Sequence, residues 1–75
     1  MIAIMTPSEF KEARRKLGLS QGQLGRMLGY DGAEARGQIS NMEAGRREIR
    51  PAQRRLVLAY LSGYRPHDWP TLDER

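Results

Sequence analysis

The stretch Leu19 to Gly45, LSQGQLGRMLGYDGAEARGQISNMEAG, decides how this chain is read. It reads as two short helices joined by a turn that carries glycine. Ser20 followed by Gln23 has the spacing of a capping box and opens the first helix, about 20–28. Leu24, Met27 and Leu28 give that helix an apolar stripe. Gly25 sits inside it and costs about 1 kcal/mol of helix propensity relative to alanine, so close approach of another helix backbone is expected there. Gly29 ends the helix. Asp31-Gly32 is a turn signal, and Asp31 is placed to cap the next helix. That helix spans about 33–44. Ala35, Ile39 and Met42 fall on one face, and Glu34, Gly37 and Asn41 fall roughly opposite. Arg36, Gln38 and Ser40 flank. Gly45 stops the helix, and Arg46 and Arg47 follow at once.

The flanks extend the same pattern. A helix over about 6–17 opens with Thr6 as N-cap, Pro7 in its first position and Glu9 completing a capping box. Phe10, Ala13 and Leu17 mark its buried face; Lys11, Arg14, Arg15 and Lys16 fall largely outside it. Gly18 supplies its stop. A further helix over about 51–62 is announced by Ile49 as a hydrophobic staple and Pro51 in the first turn. Gln53, Leu56, Val57, Tyr60 and Leu61 follow the spacing of its buried face. Residues 63–75 form an irregular tail, because Pro66 and Pro70 interrupt it. Tyr64 and Trp69 should pack back on the domain or on a second subunit. The apolar opening, Met1 to Met5, is either an extended arm or a frayed terminus. The expectation is one all-α domain of four, at most five, helices.

Composition narrows the function. A chain of 75 residues buries a modest core and often needs outside support. With no cysteine and one histidine, His67, neither disulfides nor a metal site supplies it. No cofactor is implied, and a second copy of the chain is the expected support. The net charge of +4 suits a polyanion: DNA, RNA or anionic lipid. No segment approaches the roughly 20 apolar residues of a membrane span, and Met1 to Met5 is too short for a secretory signal. The expected location is the cytoplasm. No nucleophile–base–orienter set appears, and no phosphate-cradling glycine loop follows a strand, so an enzyme is not expected. Glu9, Glu12, Glu43 and Glu48 have structural explanations.

The pattern LSQ-x-x-L-G-x-M-L-G, followed by I-S-x-M-E-x-G-R-R, resembles the Cro/repressor-type helix-turn-helix family of bacterial and phage regulators. The resemblance covers about residues 6 to 61. It implies a lambda-repressor-like fold whose second motif helix lies in the major groove of DNA. Leu24, Leu28, Ile39 and Met42 match the core between the two helices, and Glu43 and Gly45 match the closing E-x-G. Gly25 stands where the family usually has alanine. From Gly29 to Ile39 the chain is longer than the family spacing by roughly four residues, about one helical turn. Either the turn is enlarged or the second motif helix starts one turn early.

Carried over by position, Arg36, Gln38, Ser40 and Asn41 fall where the family reads bases. Arginine suits guanine there, and asparagine suits adenine. Gly37 has no side chain to read with and lets the backbone approach closely. Gln21, Gln23, Tyr30, Arg46, Arg47 and Arg50 are the phosphate candidates, although Gln23 is also needed for capping. Glu34 would repel phosphate unless it faces a cytosine amino group or solvent. The implied function is a sequence-specific regulator of double-stranded DNA, a repressor bound as a homodimer to an inverted-repeat operator. The competing expectation is a protein-interaction module, such as an antitoxin or adaptor, whose partner docks on the N-terminal arm or the C-terminal tail.

Overall fold

The computed structural model describes residues 5–70. The expectations for the arm at 1–4 and for the end at 71–75 lie outside the described residues. The fold is all-α: α1 spans Pro7–Leu17, α2 Gln21–Met27, α3 Gly32–Glu43 and α4 Pro51–Leu61. None of these helices is long and apolar enough to cross a membrane.

Local chemistry sets the helix starts. Thr6 Oγ1 accepts from the Glu9 amide at 3.1 Å, and Glu9 Oε1 accepts from the Thr6 amide at 2.9 Å. Ser20 and Gln23 repeat this reciprocal arrangement at 3.0 and 2.9 Å. At α4, Gln53 Oε1 accepts from the Arg50 amide at 3.0 Å, with Pro51 in the first position. The expectation for α3 needs correction. Asp31 holds the N-cap position, but its side chain makes no capping bond. Gly32, next in line, has φ +54°. That left-handed residue departs from the helical geometry that normally brings the following amides within reach of a cap.

All four helices end alike. The amides of Leu19, Tyr30, Arg46 and Tyr64 donate to the carbonyls of Arg14, Gly25, Asn41 and Ala59 respectively, each five residues back. In every case a glycine with positive φ lies just before the donor. This is the Schellman closure, in which the bend redirects the chain and satisfies an orphan carbonyl.

Every helix contributes to one core: Phe10 and Ala13 from α1, Leu24 from α2, Ile39 and Met42 from α3, Val57 and Tyr60 from α4. Leu19 and Trp69 complete it from the connections. Trp69 meets Tyr60 edge-on, with ring centroids 5.0 Å apart. Arg65 lies 4.3 Å over the indole and donates to the carbonyls of Tyr60 and Tyr64 at 2.8 and 2.9 Å. The stretch 63–70 is thereby folded back on α4, and the Trp69 indole is not available to a docking partner. Leu61 departs from the expected buried face of α4. It is 40% exposed, beside Leu58 at 47%. The core side of this last turn is occupied by Tyr60 under Trp69, which leaves Leu61 to face out.

The extra turn falls in α3. Four residues separate Met27 from Gly32, so the connection stays short and the helix starts early. Gly25 makes this possible. A Cβ built there would lie 2.4 Å from the Ala35 carbonyl oxygen and 2.7 Å from its carbonyl carbon and Cβ. Two backbones therefore meet where α2 crosses the first turn of α3.

Candidate nucleic-acid interface

The outer face of α3 follows from its buried one. Ala35, Ile39 and Met42 are wholly buried. At about 100° per residue, Ala33, Gly37 and Ala44 then point directly outward. Arg36 and Ser40 form one flank, and Glu34 and Asn41 the other. Arg36, Gly37 and Glu34 are exposed, whereas Ser40 and Asn41 are half-buried. Gln38 turns toward the protein: it is half-buried, and its amide Oε1 is buried without a hydrogen-bond partner. Its position, on the core side of Asn41, withholds that carbonyl from a base.

One flank of this face joins α2. Arg36 lines a shallow recess of about 460 Å³ with Ser20, Gln21, Gly22 and Arg14. Gln21 is held in place there, because its Nε2 donates to Glu43 Oε1 at 3.0 Å. Glu43 is also paired with Arg14, whose Nε lies 2.6 Å from Glu43 Oε2. The Arg14 Nη1 donates to the Leu19 carbonyl at 3.0 Å. One side-chain pair thus ties α1, α3 and the connection before α2 together. The expectation that Arg14 falls largely outside the buried face is corrected: its side chain is only 15% exposed. The signal was available, since Arg14 lies four residues after Phe10 and three before Leu17. Gln23 is occupied by capping Ser20.

The other flank, at its C-terminal end, joins the connection to α4. The turn after α3 brings Arg46 back, and its Nε donates to Asn41 Oδ1 at 3.0 Å. The Asn41 oxygen keeps a second lone pair. Arg46, Arg47, Glu48 and Arg50 line a shallow recess of about 260 Å³. Arg47 lies 6.0 Å over the Tyr30 ring. Tyr30 covers the α2–α3 turn, and its hydroxyl accepts from Gln53 Nε2 at 2.9 Å. A phenol that accepts one bond still has its own proton to donate. Among the described residues, no group of three or more metal-ligating side chains comes together.

This arrangement presents donors on both flanks of a helix face whose centre is nearly bare. Arginine can contact a base edge or a phosphate with several N–H groups at once. The first flank offers Arg36 beside an oriented amide. The second offers three guanidinium groups, one of them tethered to α3 itself.

A family model described as Helix-turn-helix matches residues 10–65. No curated protein and no solved structure matches the chain.

Proposed function

We propose that this chain, a member of the helix-turn-helix family of DNA-binding regulators, is a sequence-specific reader of double-stranded DNA that acts as a repressor. Its role is binding rather than catalysis, and its place is the cytoplasm. Arg36, Ser40 and Asn41 meet base edges, with Gln38 supporting them from the inner flank. Gln21, Tyr30, Arg46, Arg47 and Arg50 hold phosphates, and Gln23 acts beside them through the cap it forms. The observation that carries this reading is the free outer face of α3, open at Arg36 and bounded by the Asn41–Arg46 bond.

One copy covers only a few base pairs, so the reader is a homodimer on an inverted repeat. Half-sites lie roughly 34 Å apart, one turn of DNA. Repression then follows from occupying a promoter.

Titration of the chain against operator-like and scrambled duplexes at fixed salt tests the proposal. Arg36→Ala should cost about 1–3 kcal/mol of discrimination at one base pair of each half-site. Arg47→Ala should weaken all sequences alike and lower the salt slope by about 1. Affinity that is indifferent to sequence near physiological salt would remove the proposal.

A second reading, an adaptor or antitoxin bound to another protein, draws on the exposed side chains Leu58, Leu61 and Tyr64 near the end of α4. Tight capture of a protein partner together with absent DNA affinity would favour it over the first.

A further inference from the structure

We infer that Glu34 is a specificity-determining residue that accepts a hydrogen bond from the N4 amino group of cytosine. The inference rests on the DNA-reading function proposed above and adds a residue to it. Glu34 belongs to the turn of α3 that precedes Arg36. That turn is packed: Ala35 is wholly buried, and its backbone lies against Gly25 so closely that a Cβ there would come within 2.4 Å of its oxygen. Glu34 itself is exposed. Among the described residues, its carboxylate enters no ion pair and no hydrogen bond.

Its direction matters as much as its freedom. Glu34 and Asn41 are seven residues apart, so they lie nearly on one line along α3. They form the flank opposite Arg36. Between the flanks stands Gly37, where an added Cβ would meet nothing within 4 Å. The side chains on either flank can therefore descend beside a bare centre. Residues near the start of such a helix are the ones that reach base edges.

Charge then selects the base. A carboxylate is repelled by the phosphates and only accepts hydrogen bonds, so its contact must be a donor. In the major groove those donors are cytosine N4 and adenine N6. Adenine carries the N7 acceptor beside its amino group, which repels a carboxylate. On cytosine's own ring the neighbour is a C5–H rather than an acceptor. Arg36, on the other flank, offers the complementary donors to guanine. An acidic residue in the first turn also suits the helix macrodipole, and a purely structural role of that kind makes a different prediction.

The test uses the full chain, Glu34→Gln and Glu34→Ala, each put through selection from random duplexes. Single-base variants of the selected site are then titrated at fixed salt, and each protein is melted thermally. The wild type should prefer cytosine about tenfold at one position per half-site. Glu34→Ala should level that position and leave the others unchanged. Glu34→Gln should move the preference to adenine, whose N6 and N7 match an amide. A lowered melting temperature with unchanged base preferences would overturn the inference and assign Glu34 to the helix dipole alone. A selected motif that is identical in all three proteins would also overturn it, while the DNA-reading function stands. If the wild type selects no motif, that function fails and the inference falls with it.

Discussion

Gly25→Ala should destabilise this protein, although alanine is the better helix former and is common at the corresponding place in the resembled family. The new Cβ would lie 2.4 Å from the Ala35 carbonyl oxygen, about 1 Å inside ordinary contact. Both parties are backbone or directly attached to it, so no side chain can rotate away. The two helices must separate by about 1 Å, loosening Leu24 and Ile39 in the core beneath them. Overpacking of this kind costs roughly 1–3 kcal/mol, and at a backbone contact the upper end applies; helix propensity offsets about 1 kcal/mol of it. The net loss is about 1–2 kcal/mol. For a domain of this size, that lowers the melting temperature by roughly 4–16 °C. Gly37→Ala is the matched control. The propensity gain is the same, but a Cβ there meets nothing within 4 Å, so stability should rise by about 0.5–1 kcal/mol. Thermal unfolding followed by circular dichroism, at one protein concentration, compares the three. A Gly25→Ala melting temperature at or above the wild type would refute the α2–α3 contact and the early start of α3 that depends on it.

Two further outcomes follow from the polar and aromatic interior. Arg14→Leu should cost about 3 kcal/mol in urea unfolding, the lower end for a broken buried pair, because the Glu43 carboxylate, whose side chain is only 6% exposed, loses its counter-charge and keeps only the Gln21 amide. Replacing Arg14 and Glu43 together by methionine should restore most of that loss, which separates a stranded charge from lost packing. At high pH the relevant group is Tyr60. Burial, then the charge of Asp68 and the neighbouring Tyr64, raise its phenol above the ordinary value of 10.0. The unfolded chain therefore gives up this proton first, and stability should fall as pH rises through 10.0 toward the folded value. Melting temperatures between about pH 9 and 11 check this; Tyr60→Phe should flatten the decline in that window.

Helix ends were legible because they depend on near neighbours. Thr6-Pro7-Ser8-Glu9 and Ser20-Gln21-Gly22-Gln23 form their reciprocal caps within three residues. Gly18, Gly29, Gly45 and Gly63 close the helices through bonds that span five. Asp31 makes no side-chain cap beside Gly32, whose left-handed conformation the Asp-Gly pair permits but does not require. Arg14 and Glu43 are 29 residues apart, and neither carries a local mark of its partner. Leu61 satisfied the buried-face spacing of α4, yet that spacing cannot register that Trp69 returns from the tail to cover the neighbouring Tyr60. On the candidate face, the exposed position of Arg36 on one flank was readable from the spacing of Ala35, Ile39 and Met42. The inward turn of the Gln38 amide and the tie between Asn41 and Arg46 were not, since both depend on side-chain orientation.

Of the four glycines in α2 and α3, Gly25 and Gly37 are the two that connect the fold to the proposed DNA-reading face. Each costs about 1 kcal/mol of helix propensity. At Gly25 the monomer itself explains the cost: the longer α3 places Ala35 against α2, and no side chain fits between them. At Gly37 nothing inside the protein does, because the site is exposed and open on every side. A bare position at the centre of the outer face of α3 lowers the distance at which its backbone can meet a flat or grooved surface. Alanine there improves the isolated fold and adds a methyl group where the groove floor would lie. Gly37→Ala should therefore melt higher and bind its selected duplex more weakly, a divergence that a merely tolerated glycine would not produce.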